Sequence, residues 1–168
     1  MAEVTVRERF VWIAAAMLLL LSGCASYSGW GLNADTSTAA DVRRIMGEPW
    51  KICPLPGGMQ NWIYPRGPLG LHVYNAHIDN DGVLRSLENV LEDRGFATVV
   101  KGKTTKDDVL CIFGPPMQEM YFERRNELVW DYRFRDAWNF VARFHVLFND
   151  AGVVTGTMQI REDMGRGR

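Results

Sequence analysis

Hydrophobic positions along the chain follow two different periods. Val42, Ile45 and Met46 share one helical face, and so do Val109, Ile112 and Phe113. Leu128, Trp130, Tyr132 and Phe134 instead alternate with Val129, Asp131, Arg133 and Arg135, and Phe144, Val146 and Phe148 alternate with His145 and Leu147. Period two marks strands with one buried face. Tyr74, Ala76 and Ile78 hold the same phase earlier in the chain. Asp81-Gly82 and Ala151-Gly152 read as hairpin turns leading into last strands over 83–87 and 153–160. A further short helix is expected between Glu92 and Val100, with Phe96 packed inward, and Trp30 is expected to do the same job ahead of Val42.

The two helical patterns belong to a segment written twice. Thr38 to Pro49 aligns with Thr105 to Pro116 at an offset of 67, with six of twelve positions identical. Trp62-Ile63-Tyr64 then matches Trp130-Asp131-Tyr132 at an offset of 68, and 79–83 matches 149–153 at an offset of 70. A slowly drifting offset is what loop insertions in a duplicated unit produce. Each copy has its own punctuation. Thr38 and Thr105 are expected N-caps, with Asp41 and Asp108 three residues later as in a capping box. Gly47 and Gly114 fall where the helix ends and φ turns positive, and Pro49 and Pro116 bar its continuation. The expected fold is α+β: two tandem repeats, each a short helix-loop-helix packed on an antiparallel sheet of three or four strands.

Ahead of this lies a different kind of segment. Arg7 and Arg9 precede an apolar run from Phe10 to Leu21, too short for the roughly 20 residues of a membrane span. A basic start and a short apolar run read as a secretory signal. The run closes in Leu21-Ser22-Gly23-Cys24, which resembles a bacterial lipobox. The resemblance implies cleavage before Cys24 and acyl chains on that residue. Each buried CH₂ contributes about 0.8 kcal/mol, and several chains together hold firmly. Ala25, in place of Asp, implies the outer membrane over the inner one by the same resemblance. The expected organisation is a signal peptide over 1–23, an acylated tether over 24–35, repeats over 36–92 and 93–163, and a basic tail over 164–168.

The run 102–109, then Phe113-Gly114-Pro115-Pro116, Trp130-Asp131-Tyr132 and 148–153, together with the looser match of 38–49 and 79–83, resemble the SmpA/OmlA family. That family includes the E subunit of the outer-membrane β-barrel assembly machinery. The tandem arrangement also resembles the architecture of the β-lactamase inhibitor protein. The family unit is single, whereas this chain has two, and the matched residues are caps, turns and core. They therefore carry fold across more readily than function. The resemblance implies a lipid-anchored protein facing the periplasm. It would support β-barrel assembly or envelope integrity through protein contacts, with barrel-assembly subunits as candidate partners. An inhibitor or binding module on an envelope enzyme is the alternative.

Composition narrows the chemistry. Lys+Arg number 19 and Asp+Glu 20, a net charge of −1 with no basic face, which excludes an electrostatic nucleic-acid binder. No Gly-x-Ser-x-Gly, P-loop or Gly-x-Gly-x-x-Gly is present. His72, His77 and His145 lack metal-ligand spacing and have no acid beside them in the chain. Asp79-Asn80-Asp81-Gly82 lacks the distal Glu of a calcium loop and reads as a turn. The expectation is no enzyme, no catalytic or metal residues, no cofactor and no small-molecule substrate. Cys53 and Cys111 either bridge the two repeats or stay as separate half-buried thiols. Trp138, between two strands, is the candidate partner contact, with packing on its own hairpin as the other reading. Trp50, Trp62 and Trp130 are expected in the core.

Overall fold

The structure, a computed structural model, describes residues 26–67 and 69–162. The signal segment, Cys24 and the basic tail lie outside the described residues. The fold is α+β. Helix α1 (Ala39–Met46) precedes strands β1 (Lys51–Pro54), β2 (Gln60–Pro65), β3 (Val73–Ile78) and β4 (Leu84–Asn89). A single turn α2 (Asp93–Phe96) and helix α3 (Lys106–Phe113) precede β5 (Gln118–Phe122), β6 (Glu127–Arg135), β7 (Val141–Phe148) and β8 (Val154–Arg161). The strands form two antiparallel four-stranded sheets, each in chain order.

Both eight-residue helices are too short to persist alone, so their ends are fixed from outside. The Asp41 N–H donates to the Thr38 hydroxyl at 3.2 Å, and the Asp41 carboxylate accepts from the Thr38 N–H at 3.0 Å. Thr105 and Asp108 make the same reciprocal pair at 3.2 and 2.8 Å. Each N-terminus is also tied to the last hairpin of its own sheet. Ala39 N–H donates to Gly82 O, and Lys106 N–H to Gly152 O. The C-terminal carbonyls of Gly47 and Gly114, at φ 83° and 68°, accept from the Tyr64 and Tyr132 hydroxyls at 3.2 and 3.0 Å.

Packing stacks these parts in four layers. Val42 and Met46 of α1 lie on Trp62, Tyr64, Ala76, Ile78 and Leu84. The opposite face of the first sheet gives Cys53, Ile63 and Val73 to a larger core shared with α2, α3 and the second sheet. There Phe96 stacks on Phe144 with ring centroids 4.0 Å apart, and Phe113 meets Tyr132 at 5.3 Å. Cys53 and Cys111 are joined in a disulfide, their Cα atoms 5.8 Å apart. Asn61 and Asn75 donate side-chain N–H groups to the Cys111 and Ile112 carbonyls at 2.8 and 3.0 Å. Among the described residues the first sheet is thus covered on both faces, and the second on one.

Several expectations need correction. Ile112 packs against the same core as Val109 and Phe113, but it is only partly buried, and its carbonyl is held by Asn75 of the first sheet. Trp50 is 48% exposed and Trp30 is 89% exposed, so neither is core. Residues 26–37 run as turns and bends, so among the described residues no helix precedes α1. Trp62, Trp130 and Phe96 are buried as expected.

Candidate functional site

The uncovered face of the second sheet carries the densest polar chemistry among the described residues. Strand register places Asp131 directly opposite His145, and Arg133 opposite Arg143. Alternation then puts all four side chains on the face turned away from Phe113. Asp131 is fully buried, with one carboxylate oxygen against His145 Nδ1 and the other accepting from Arg143 at 3.2 Å. Glu162, just past β8, accepts from Arg133 at 2.9 and 2.7 Å and from Arg143 at 3.0 Å. Those arginines, Arg133 first, hold the Glu162 carboxyl below the usual range. Both arginines keep guanidinium N–H groups beyond these bonds, since each carries five donors.

Beside this network the same face becomes apolar. Met120, Val129, Leu147, Met158 and Ile160 line a groove of about 610 Å³, together with Phe122, Glu123, Arg124, Arg125 and Glu127. Phe122, Met158 and Ile160 are each about half exposed, at 48%, 47% and 49%. Singly such residues are ordinary, but as a contiguous strip they form an apolar patch. With Nδ1 turned to the carboxylate, His145 keeps Nε2 as its remaining ring nitrogen.

Elsewhere the chemistry is thinner. Trp138 stands at the β6–β7 tip, 73% exposed, with the Arg161 guanidinium 4.8 Å from its ring centroid. Asp136 fixes that tip by accepting from the Trp138 and Phe140 N–H groups at 2.9 Å. Arg66 sits 5.8, 5.4 and 5.9 Å from the rings of Tyr27, Tyr64 and Tyr74, and burial lowers its pKa. A cleft of about 360 Å³ between the two halves is lined by Trp50, His72, Leu91, Pro116 and Tyr132. Among the described residues no three His, Cys, Asp or Glu side chains gather as a metal site. No described helix is long and apolar enough to cross a membrane.

The residues singled out from sequence therefore separate by role. Thr38, Asp41, Gly47, Thr105, Asp108 and Gly114 are helix ends, Pro49 and Pro116 come just after them, and Cys53 and Cys111 link the halves. Trp138 does not line the apolar groove. The pairing that sequence reading missed is Asp131 with His145. The histidine has no acid beside it in the chain, yet strand register supplies one from fourteen residues away. The only sequence signal was Asp131 itself, a charge between Trp130 and Tyr132 where the first half has Ile63.

No protein-family model matches the chain, and no curated protein matches it. Among solved structures it is similar to a DUF4309 family protein (YjgB) from Bacillus subtilis. The two share 16% identity, with 79% of this chain and 84% of that chain covered and a TM-score of 0.32. A likeness at that level carries no functional meaning.

Proposed function

We propose that the chain is a non-enzymatic lipoprotein of SmpA/OmlA type in tandem-duplicated form. It is anchored in the outer membrane through acyl chains on Cys24 and faces the periplasm. There it supports β-barrel protein assembly or envelope integrity through protein contacts. The observation that carries this reading is the matched detail of the two halves. Each has a Thr-Asp capping box, a helix start tied to its last hairpin, and a Tyr hydroxyl on the helix-ending Gly carbonyl. Three such devices in register support a duplicated unit. The Cys53–Cys111 disulfide adds support for an oxidising compartment.

The test is affinity purification of the acylated protein from mildly solubilised membranes, with mass spectrometry of the co-purifying proteins. Stoichiometric barrel-assembly subunits are the expected result, and their absence overturns the assembly role. The exposed Trp138 tip favours a second reading, an inhibitor or binding module on an envelope enzyme. Under that reading Trp138→Ala abolishes binding while changing stability by less than about 0.5 kcal/mol.

A further inference from the structure

We infer that the open face of the second sheet is a docking groove for one amphipathic α-helix of a partner protein, laid there as α3 is laid on the first sheet. The inference rests on the duplication reading above and adds a partner chemistry to it. Matching the strand pair Trp62–Ala76 with Trp130–Val146 aligns the two sheets position by position. Met120 then stands where Cys53 does, Val129 where Asn61 does, and His145 where Asn75 does. In the first sheet these positions lie under α3, which is bonded through the disulfide and through the Cys111 and Ile112 carbonyls. In the second sheet nothing described in this chain covers them.

The replacements keep a helix-binding character. Met120, Val129, Leu147, Met158 and Ile160 offer an adaptable apolar floor. At the end where α3 terminates on the first sheet, Gly114 approaches Pro65 and Ile63. The matching positions in the second sheet are Arg133 and Asp131. Arg133 and Arg143 there are paired with Glu162 and Asp131 but keep spare N–H groups, which suit the unsatisfied carbonyls of a helix C-terminus. This is the role that Asn61 and Asn75 play for α3.

The groove does not suit a second copy of this chain. The helix left at the far end of the stack is α1, and its outward residues Arg43 and Arg44 are exposed charges. They match Leu110 and Cys111, and Cys111 is bonded to Cys53 of the first sheet. A charged outer helix caps a stacked array, whereas an apolar outer sheet leaves the array open. One end is finished and the other awaits a helix from outside.

The experiment places the photo-crosslinker benzoylphenylalanine at Phe122 or Met158 in the full chain in living cells, with Trp30 at the opposite end as control. Phe122 and Met158 are expected to react with one segment of one partner protein, at sites three to four residues apart, while Trp30 gives none of these adducts. A synthetic peptide of that segment should become helical on binding the purified protein. Ile160→Glu should weaken that binding at least about tenfold. If Ile160→Glu fails to fold, Met158→Glu replaces it. Adducts with lipid, with a second copy, with scattered proteins or with nothing overturn the proposal, as does a peptide that binds as a strand. Membrane retention is scored in the same cells, so a failed anchor and an empty groove give different results.

Discussion

The Asp131 carboxylate is fully buried, and its two oxygens are taken by Arg143 and His145. Removing a buried acceptor leaves its partners uncompensated, which costs more than the pair contributes. Asp131→Ala is expected to lower stability by about 2–3 kcal/mol, read as a lower urea midpoint. A change within about 0.5 kcal/mol would mean that solvent replaces the carboxylate. The capping carboxylates set the acid limit. The Arg44 guanidinium, followed by the Thr38 N–H, holds Asp41 down to about 2, and the Thr105 N–H lowers Asp108. Folded pKa values depressed below the unfolded value of about 3.9 give stability that is complete above that value. It is lost as pH falls through the folded pKa, so the urea midpoint should hold to about pH 5 and decline from pH 4 towards 2. In Asp41→Asn/Asp108→Asn that decline should shrink.

Each short helix depends on contacts at its ends and with a sheet. Gly114 ends α3 at φ 68° and ψ −158°, a region open essentially to glycine alone. A Cβ there would lie 2.9 Å from Pro65 Cγ and 3.3 Å from Ile63 Cγ2. Gly114→Ala should therefore cost about 1–3 kcal/mol, and calorimetry should show it as a lowered Tm. The disulfide acts on the same helix and closes a span of 58 residues. In the chain-entropy model a loop of that size stabilises by roughly 4 kcal/mol. Reduction, or Cys53→Ser/Cys111→Ser, should lower the urea midpoint accordingly. An unchanged midpoint would show that α3 docks on the first sheet without help.

At the scale of the whole molecule, four layers leave one sheet face open among the described residues, and the proposed anchor, Cys24, lies towards the other end of the chain. Cys24→Ala should release the protein from membranes into the soluble fraction, and firm retention of that variant would count against the lipobox. Much of the fold was legible because it is local. Capping boxes, helix-ending glycines and hairpin turns act within a few residues, so the sequence alone determined α1, α3 and the second sheet's inward face. The Trp-x-Tyr match also proved interpretable, since each Tyr hydroxyl reaches the carbonyl of its own helix-ending glycine. Tertiary structure decided what lies between the halves. Ile112 packs on the core of Val109 and Phe113 as its pattern suggests, but α3 has sheets on two sides, and a helical pattern reports one apolar stripe without naming its owners. Trp50 looked like core and lies at the rim of the cleft between the halves. Asp131 and His145 are unrelated in sequence and meet only because antiparallel register sets them opposite. Short-range rules wrote the elements; layer order, the exposed face and its ion network arose from long-range packing, which no local pattern encodes.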